Sequence, residues 1–298
     1  MRKLEVYIEE DGDFVLAGQI QGETWEDARF IYEKSYLENQ SHQPVSISLP
    51  FQEDAFSPFE TRCYFEGLLP EGYTRRCVAG WMHVAEEDYL SVLAGLGNEC
   101  LGAVRICEPG AGGCSPSYKK ISREELLEFA KEGASKSAQF LAKAHLSLTG
   151  ASGKTGLYYD NKDGWYMPFG TAPSTHIVKQ SHVRLSGIVA NEQLCLRTAK
   201  ILGIDVPESF IISVGTGEHI LFATKRFDRL MQEDSRVIDG KKVPFRLQQE
   251  DFAQALGVPA SQKYEKIGDS YLKRVFTLLR QSSESGGRSI EIMGYMYL

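Results

Sequence analysis

The sequence predicts an α+β fold in two parts, residues 1–108 and residues 122–298, joined by a linker at 109–121. Three observations predict it. Short stretches of alternating apolar and polar residues, bounded by Asp/Gly turns, mix with segments of helical period. Glu108–Ser117 (Glu-Pro-Gly-Ala-Gly-Gly-Cys-Ser-Pro-Ser) crowds the residues that break regular structure into one place, as a linker does. Beyond it, Ser147–Lys179 reads as a small-residue loop, a hairpin, and a β-branched strand ending in lysine.

In the first unit, Leu4, Val6 and Ile8 alternate with polar residues, and Asp11-Gly12-Asp13 turns the chain into Phe14–Ile20 as a hairpin. Thr24–Asn39 fits a strand at Phe30–Tyr32 or a helix face built on Trp25, Ala28 and Tyr32. Val45–Leu49 alternates again and stops at Pro50. Val78–Leu96 is helical with a break near His83 and a stop at Gly97, and Gly102–Cys107 is a short strand. In the second unit, Ser122 with Glu125 forms a capping box that opens a helix with Leu126, Leu127 and Phe129 on its buried face. Ala190–Leu202 is a helix closed by Gly203, and Ser209–Val214 and Ile220–Thr224 are strands around Gly215-Thr-Gly-Glu218. Short helices follow at Gln248–Leu256 and Tyr271–Leu279. From Ser282 the text changes character and resembles neither a closing helix nor a polar tail.

The chain has 298 residues, 42% hydrophobic and 24% charged, which is enough to bury a core. Its formal net charge of −7 opposes broad binding to nucleic acid, which rests on lysine and arginine. Pairs such as Arg75–Arg76 and Lys119–Lys120 read as solvated faces or local anion contacts. The six cysteines include no C-x-x-C pair, and the spacing of seven among Cys100, Cys107 and Cys114 is read as coincidence. With no signal-peptide-like N-terminus and no long apolar run, the expectation is a reducing, cytoplasmic location away from membranes.

Two phosphate-binding designs compete for the central stretch. Gly150-Ala-Ser-Gly-Lys-Thr155 ends as a Walker A loop does, but that pattern needs a glycine where Leu148 stands. It also needs a helix to follow, so that amide groups and dipole meet the phosphates. Here Leu157–Tyr159, a Lys-Asp-Gly turn and Trp165–Met167 read as a hairpin instead. The alternative is a kinase-like lobe, in which a small-residue loop lies over the nucleotide, a lysine on a following strand meets the phosphates, and a helix comes next. The order fits: loop 149–156, Lys179 between β-branched neighbours, and a helix opening near Asn191-Glu192. A half-buried lysine needs an anionic partner, and Glu192 is the candidate by position. Two strands later, Ala-Thr-Lys225-Arg226-Phe227 lies where a hinge would sit.

At these residues the sequence resembles the HipA family, bacterial serine/threonine kinase toxins of HipA–HipB toxin–antitoxin systems. In the first unit the likeness rests on Pro44-Val-Ser-Ile-Ser-Leu-Pro50, Phe65-Glu-Gly-Leu-Leu-Pro-Glu-Gly72 and Gly97-Asn-Glu-Cys-Leu-Gly-Ala-Val104. In the second it rests on Ser147–Thr155, Pro173-Ser-Thr-His-Ile-Val-Lys179, Asn191-Glu192, Arg226-Phe-Asp-Arg229 and the run from Arg246 to Gly257. The resemblance covers nearly the whole chain. It implies a HipA-like N-terminal subdomain followed by a kinase-like N-lobe and the start of a C-lobe.

It further implies ATP, with Mg²⁺, contacted by Thr149, Gly150, Ala151, Ser152, Gly153 and Lys154. Lys179 would lie on the phosphates and Lys225, Arg226 and Phe227 around adenine. Ser147 matches the serine that such kinases autophosphorylate, which in the family ejects the phosphate loop and inactivates the enzyme. The implied partners are a HipB-like helix-turn-helix antitoxin and a protein substrate such as an aminoacyl-tRNA synthetase, with DNA reached only through the antitoxin.

Two departures stand out. Ser152 replaces a usual glutamine, a change that a backbone-driven loop tolerates. More seriously, residues 230–298 contain neither the family's catalytic-loop aspartate and asparagine nor its metal-binding Asp-Phe-Asp. The expectation is therefore a kinase truncated before its catalytic loop and weakly active or inactive alone. The alternative is a non-catalytic module that binds antitoxin or nucleotide.

Overall fold

The computed structural model describes residues 1–111, 115–150, 152–181, 185–216, 219–266 and 268–281. Ala151, Cys114, the Gly217-Glu218 turn and the stretch from Ser282 onward lie outside the described residues.

The first unit is built on an antiparallel sheet of order β3-β2-β1-β4, formed by β1 (Arg2–Glu10), β2 (Asp13–Gly22), β3 (Arg29–Tyr32) and β4 (Val104–Cys107). The β1–β2 hairpin turns at Asp11 and Gly12, both at positive φ, a conformation in which glycine and aspartate are the least strained residues. The ambiguous stretch 24–39 takes the strand option as β3; the helix expected on Trp25, Ala28 and Tyr32 does not form, and a short helix, α1 (Lys34–Glu38), follows the strand. Val45–Leu49 forms no strand. Ser46 and Leu49 close a tight turn, and the Val45 amide donates to the Tyr32 hydroxyl.

Three helices of this unit were expected only in part. The helix α2 (Pro58–Phe65) opens on a Ser57–Glu60 capping box with proline at its first position. The stretch expected from Val78 to Leu96 is two helices, α3 (Gly72–Met82) and α4 (Tyr89–Leu96). The break falls where His83 takes a left-handed conformation, and Asp88 caps α4 through the Ser91 amide.

The second unit carries a six-stranded antiparallel sheet of order β5-β7-β6-β8-β10-β9. Its strands are β5 (Ser117–Lys120), β6 (Lys154–Asp160), β7 (Gly164–Phe169), β8 (His176–Gln180), β9 (Ser209–Val214) and β10 (His219–Lys225). Helices α5 (Arg123–Glu132) and α6 (Ala134–Ala144) precede β6, and α7 (Ile188–Ile201) separates β8 from β9. The expected capping box at Ser122 and Glu125 is present.

The expected linker is shorter than 109–121. Residues 117–120 are the edge strand β5, held because Tyr118 packs on Tyr158 with ring centroids 4.7 Å apart and donates to the Pro173 carbonyl. Past β10 come four two-residue strands, β11 (Arg229–Leu230) to β14 (Phe245–Arg246), then α8 (Phe252–Ala255) and α9 (Tyr271–Leu279).

The two sheets share one core. A single continuous cluster of buried side chains runs from Leu4 and Val6 through Phe65, Leu93 and Phe140 to Leu157, Val178 and Ala223, and α6 packs against α3. The boundary between the parts is thus a change of sheet and not a gap in packing. Among the described residues, no helix is long and apolar enough to cross a membrane.

Candidate nucleotide site

The approach to the small-residue loop belongs to the first unit as much as to the second. After α6, His145 turns left-handed and the chain runs out extended. Instead of joining the six-stranded sheet, residues 146–150 pair in parallel with two loops of the N-terminal unit, Leu146 with Glu99 and Gly150 with Pro70. The Ser147 amide donates to the Glu99 carbonyl at 2.8 Å. The Ser147 hydroxyl, wholly buried, donates to the Leu68 carbonyl at 2.7 Å. Gly150 holds φ near +100°, where an L side chain is strained, and a β-carbon there would also displace Lys154 Nζ, 2.6 Å away. At Gly153 a β-carbon would meet Gln180 Nε2 at 2.5 Å. Ser152 between them is half-buried. Lys154 then opens β6, so the loop leads into a strand and the helix required by a Walker A loop is not there.

Two ammonium groups converge behind this loop. The β6–β8 register sets Lys154 directly across from Lys179. Lys154 Nζ donates to the Thr149 carbonyl at 2.8 Å. Burial, and then the neighbouring Lys179 charge, bring its pKa down to about 8. Lys179 Nζ lies 2.5 Å from Glu192 Oε1 on α7, the partner expected from position, and 5.7 Å from the centroid of the Phe222 ring. Lys179 is thus paired with a carboxylate while Lys154 reaches only a backbone carbonyl, and polyanionic phosphate is the chemistry that two neighbouring ammonium groups fit. The burial cost carried by Lys154 is relieved by an added negative charge.

The hinge expectation needs correction at Arg226. Its guanidinium is completely buried among protein partners. Nε and Nη2 donate to both Asp228 oxygens at 2.9 and 2.6 Å, and Nη1 reaches Glu99 Oε1 at 3.3 Å and Ser174 Oγ at 3.1 Å. The physical reason is neutralisation: two carboxylates lie in the interior beside it, and an uncompensated buried charge costs several kcal/mol. Only the Arg226 backbone, whose amide donates to the Thr175 carbonyl, remains in a hinge position. Lys225 is exposed, 3.9 Å from Glu208, and the Phe227 ring is 68% exposed.

The network around Arg226 was not foreseen as a unit. Glu99 takes hydrogen bonds from Arg226, Arg229, Arg246 and Ser174, and Arg246 also pairs with Glu9 at 2.5 Å. Burial alone would raise the Glu99 carboxyl, but Arg246, Arg229 and Arg226 outweigh it and bring its pKa to about 2. Its traces in sequence are a glutamate inside the otherwise uncharged run from Leu96 to Val104 and the close spacing of Arg226, Asp228 and Arg229. Neither says that the two strings meet.

The loop, Lys154 and Lys179 suit the phosphates of a nucleotide. Among the described residues, no three His, Cys, Asp or Glu side chains gather as a metal site.

The family model described as the HipA-like C-terminal domain matches residues 146–297, and that of the HipA N-terminal domain matches residues 4–107. A protein of Sinorhizobium fredii named as the putative kinase Y4mE is 31% identical over 279 residues, 90% of this chain and 63% of its own length. The serine/threonine-protein kinase toxin HipA of Shewanella oneidensis is 28% identical over 228 residues, 76% of this chain and 50% of its own length. Among solved structures, one of the Shewanella oneidensis toxin–antitoxin complex of HipA, HipB and operator DNA superposes with a TM-score of 0.71. That match has 25% identity and covers 93% of this chain and 64% of the other. This chain therefore spans between half and two thirds of the length of these relatives. By fold and by the family models that cover both of its units, the chain belongs to the HipA family.

Proposed function

We propose that this chain is the nucleotide-holding part of a HipA-like, ATP-dependent serine/threonine protein kinase of a toxin–antitoxin system. The observation that carries the reading is the pair of lysines, Lys154 and Lys179, set side by side at a glycine loop, Lys179 paired with Glu192 and Lys154 with the Thr149 carbonyl. ATP, when bound, supplies the phosphoryl group for transfer. Thr149, Gly150, Ala151, Ser152 and Gly153 would offer backbone amides to the phosphates. Lys154 and Lys179 would neutralise them, and the backbone of Lys225–Phe227 would border the base. No residue of the chain matches the family's catalytic-loop aspartate or its Asp-Phe-Asp, so this chain alone is expected to bind ATP and to transfer phosphate slowly or not at all.

The buried Ser147 hydroxyl supports the same conclusion, since it is hydrogen-bonded inward and must leave the Leu68 carbonyl before it can accept phosphate. Incubation with labelled ATP and Mg²⁺ tests the reading: nucleotide retained without label on Ser147 is expected, and rapid labelling of Ser147 would overturn it. A second reading is a non-catalytic module that holds a HipB-like antitoxin. The complete N-terminal sheet and the similarity to a HipA solved with HipB and operator DNA favour it. On the kinase reading an aminoacyl-tRNA synthetase is the substrate class the family suggests, and on either reading DNA is reached only through the antitoxin. Capture of a helix-turn-helix partner by a chain that does not bind ATP would favour the module.

A further inference from the structure

Around the start of the phosphate loop, four residues from three distant segments form a charged cluster. Glu71 stands at the N-terminus of α3 in the first unit, yet its side chain does not cap that helix. Instead Oε1 accepts from the Thr149 hydroxyl at 3.2 Å and from Lys263 Nζ at 2.9 Å, and Oε2 accepts from the Tyr264 hydroxyl at 2.8 Å. Lys263 also donates to Thr149 Oγ1 at 3.0 Å and pairs with Asp251 at 2.7 Å. The Glu71 amide adds a long bond, 3.4 Å, to the Gly150 carbonyl. Lys263 and Glu71 are largely buried, with side-chain exposures of 21% and 15%. Burial would raise the Glu71 carboxyl, but hydrogen bonds from Lys263, Tyr264 and Thr149 leave it lowered, so it is ionised and engaged at neutral pH.

We propose that Glu71 and Lys263 are positioning residues that latch the phosphate loop inward through Thr149, tying nucleotide affinity to the packing of the N-terminal unit against residues 251–264. This rests on the nucleotide-site reading above but makes a separate claim, about loop position before any nucleotide arrives. Neither side chain needs to touch the nucleotide. Its effect is on the fraction of molecules whose loop is already in the binding pose, and apparent affinity falls in proportion to that fraction. The local sequence fits such a role. Gly150, Ser152 and Gly153 are small, and among the described residues the bridges of the entry segment 146–150 are to N-terminal loops.

The test uses the full 298-residue chain and reads amide hydrogen exchange of residues 147–156 without nucleotide, alongside ATP affinity. Glu71→Gln and Lys263→Met are each expected to speed exchange in this segment and to raise the Kd for ATP by about tenfold, while β1–β2 exchange stays unchanged. The double variant is expected to be no worse than either single one, because both remove the same contact. Lys263→Arg should restore the wild-type loop. Should Glu71→Gln lower the melting temperature of the whole chain, Thr149→Val offers a variant that removes only the loop's hydroxyl, with the same local loosening expected. Unchanged loop exchange in these variants, or an additive hundredfold change in the double one, overturns the latch. If the wild type fails to bind ATP while the loop still loosens, the latch stands and the nucleotide reading falls.

Discussion

Replacing Lys154 by methionine should make the protein more stable at neutral pH while weakening its hold on nucleotide. The Lys154 pKa of about 8 lies well below the ordinary 10.5, so the folded state binds this proton more weakly than the unfolded chain does. At about 1.36 kcal/mol per pH unit, the charged amine costs roughly 3 kcal/mol of stability at pH 7. Methionine removes that cost but also loses the bond to the Thr149 carbonyl, worth about 1 kcal/mol, leaving a net gain near 2 kcal/mol.

The sign of the pH dependence follows. Between pH 8 and 10.5 the unfolded chain carries more of the proton, so wild-type stability rises with pH relative to the variant. By pH 9.5 the advantage of Lys154→Met should have shrunk to below about 1 kcal/mol. Urea denaturation of both proteins at pH 7 and pH 9.5 measures this difference, and other groups that titrate in the range cancel. A variant less stable than wild type at pH 7, or a difference that does not shrink on going to pH 9.5, would refute the reasoning.

Glu99→Gln should be among the most damaging single changes. It leaves Arg226, Arg229 and Arg246 buried with one carboxylate fewer, at a cost of about 3–5 kcal/mol, visible as a lower denaturation midpoint. In the wild type the stabilisation from Glu99, whose pKa is held near 2, is complete above pH 4.5 and lost progressively below it, so acid unfolding should begin near pH 4. Lys179→Ala is expected to weaken ATP binding more than Lys154→Ala does. Lys179 is held by Glu192 and is ready to meet a phosphate, whereas Lys154 is partly spent on the loop's own carbonyl; titration with a fluorescent nucleotide separates them.

What the sequence shows well is local. The β1–β2 hairpin, the Ser122–Glu125 capping box and the β6–β7 hairpin each rest on neighbours within a few residues, so their signals survive in the text. One element was legible and overlooked: Ser57-Pro58-Phe59-Glu60 carries the same cap signature as Ser122–Glu125 and opens α2. Other features had no local signal. Tyr118 and its neighbours form β5 only because β7 offers an edge, and glycines and prolines just before them suggested a linker. Val45–Leu49 alternates like a strand but finds no partner strand and turns instead. At the site, Lys179 and Glu192 were found because sheet and helix order fixes their approach. Arg226 was misread because its task depends on Glu99, far away in sequence.

The charge network also bears on whether the two units can exist apart. Arg226, Arg229 and Arg246 belong to the second unit, whereas Glu9 and Glu99 belong to the first. A fragment of residues 115–298 would keep three guanidiniums with Asp228 alone, and it would lose the loops at 68–71 and 97–99 that pair with the entry to the phosphate loop. Charges freed in this way can rehydrate only if the hinge segment unpacks, which opens the floor of the nucleotide site. The fragment alone is therefore expected to lack a cooperative thermal transition and to bind no ATP, and co-expression with residues 1–111 is expected to restore both. A fragment that melts cooperatively and binds ATP with the affinity of the intact chain would show that the N-terminal unit is an attachment and that the site is complete without it.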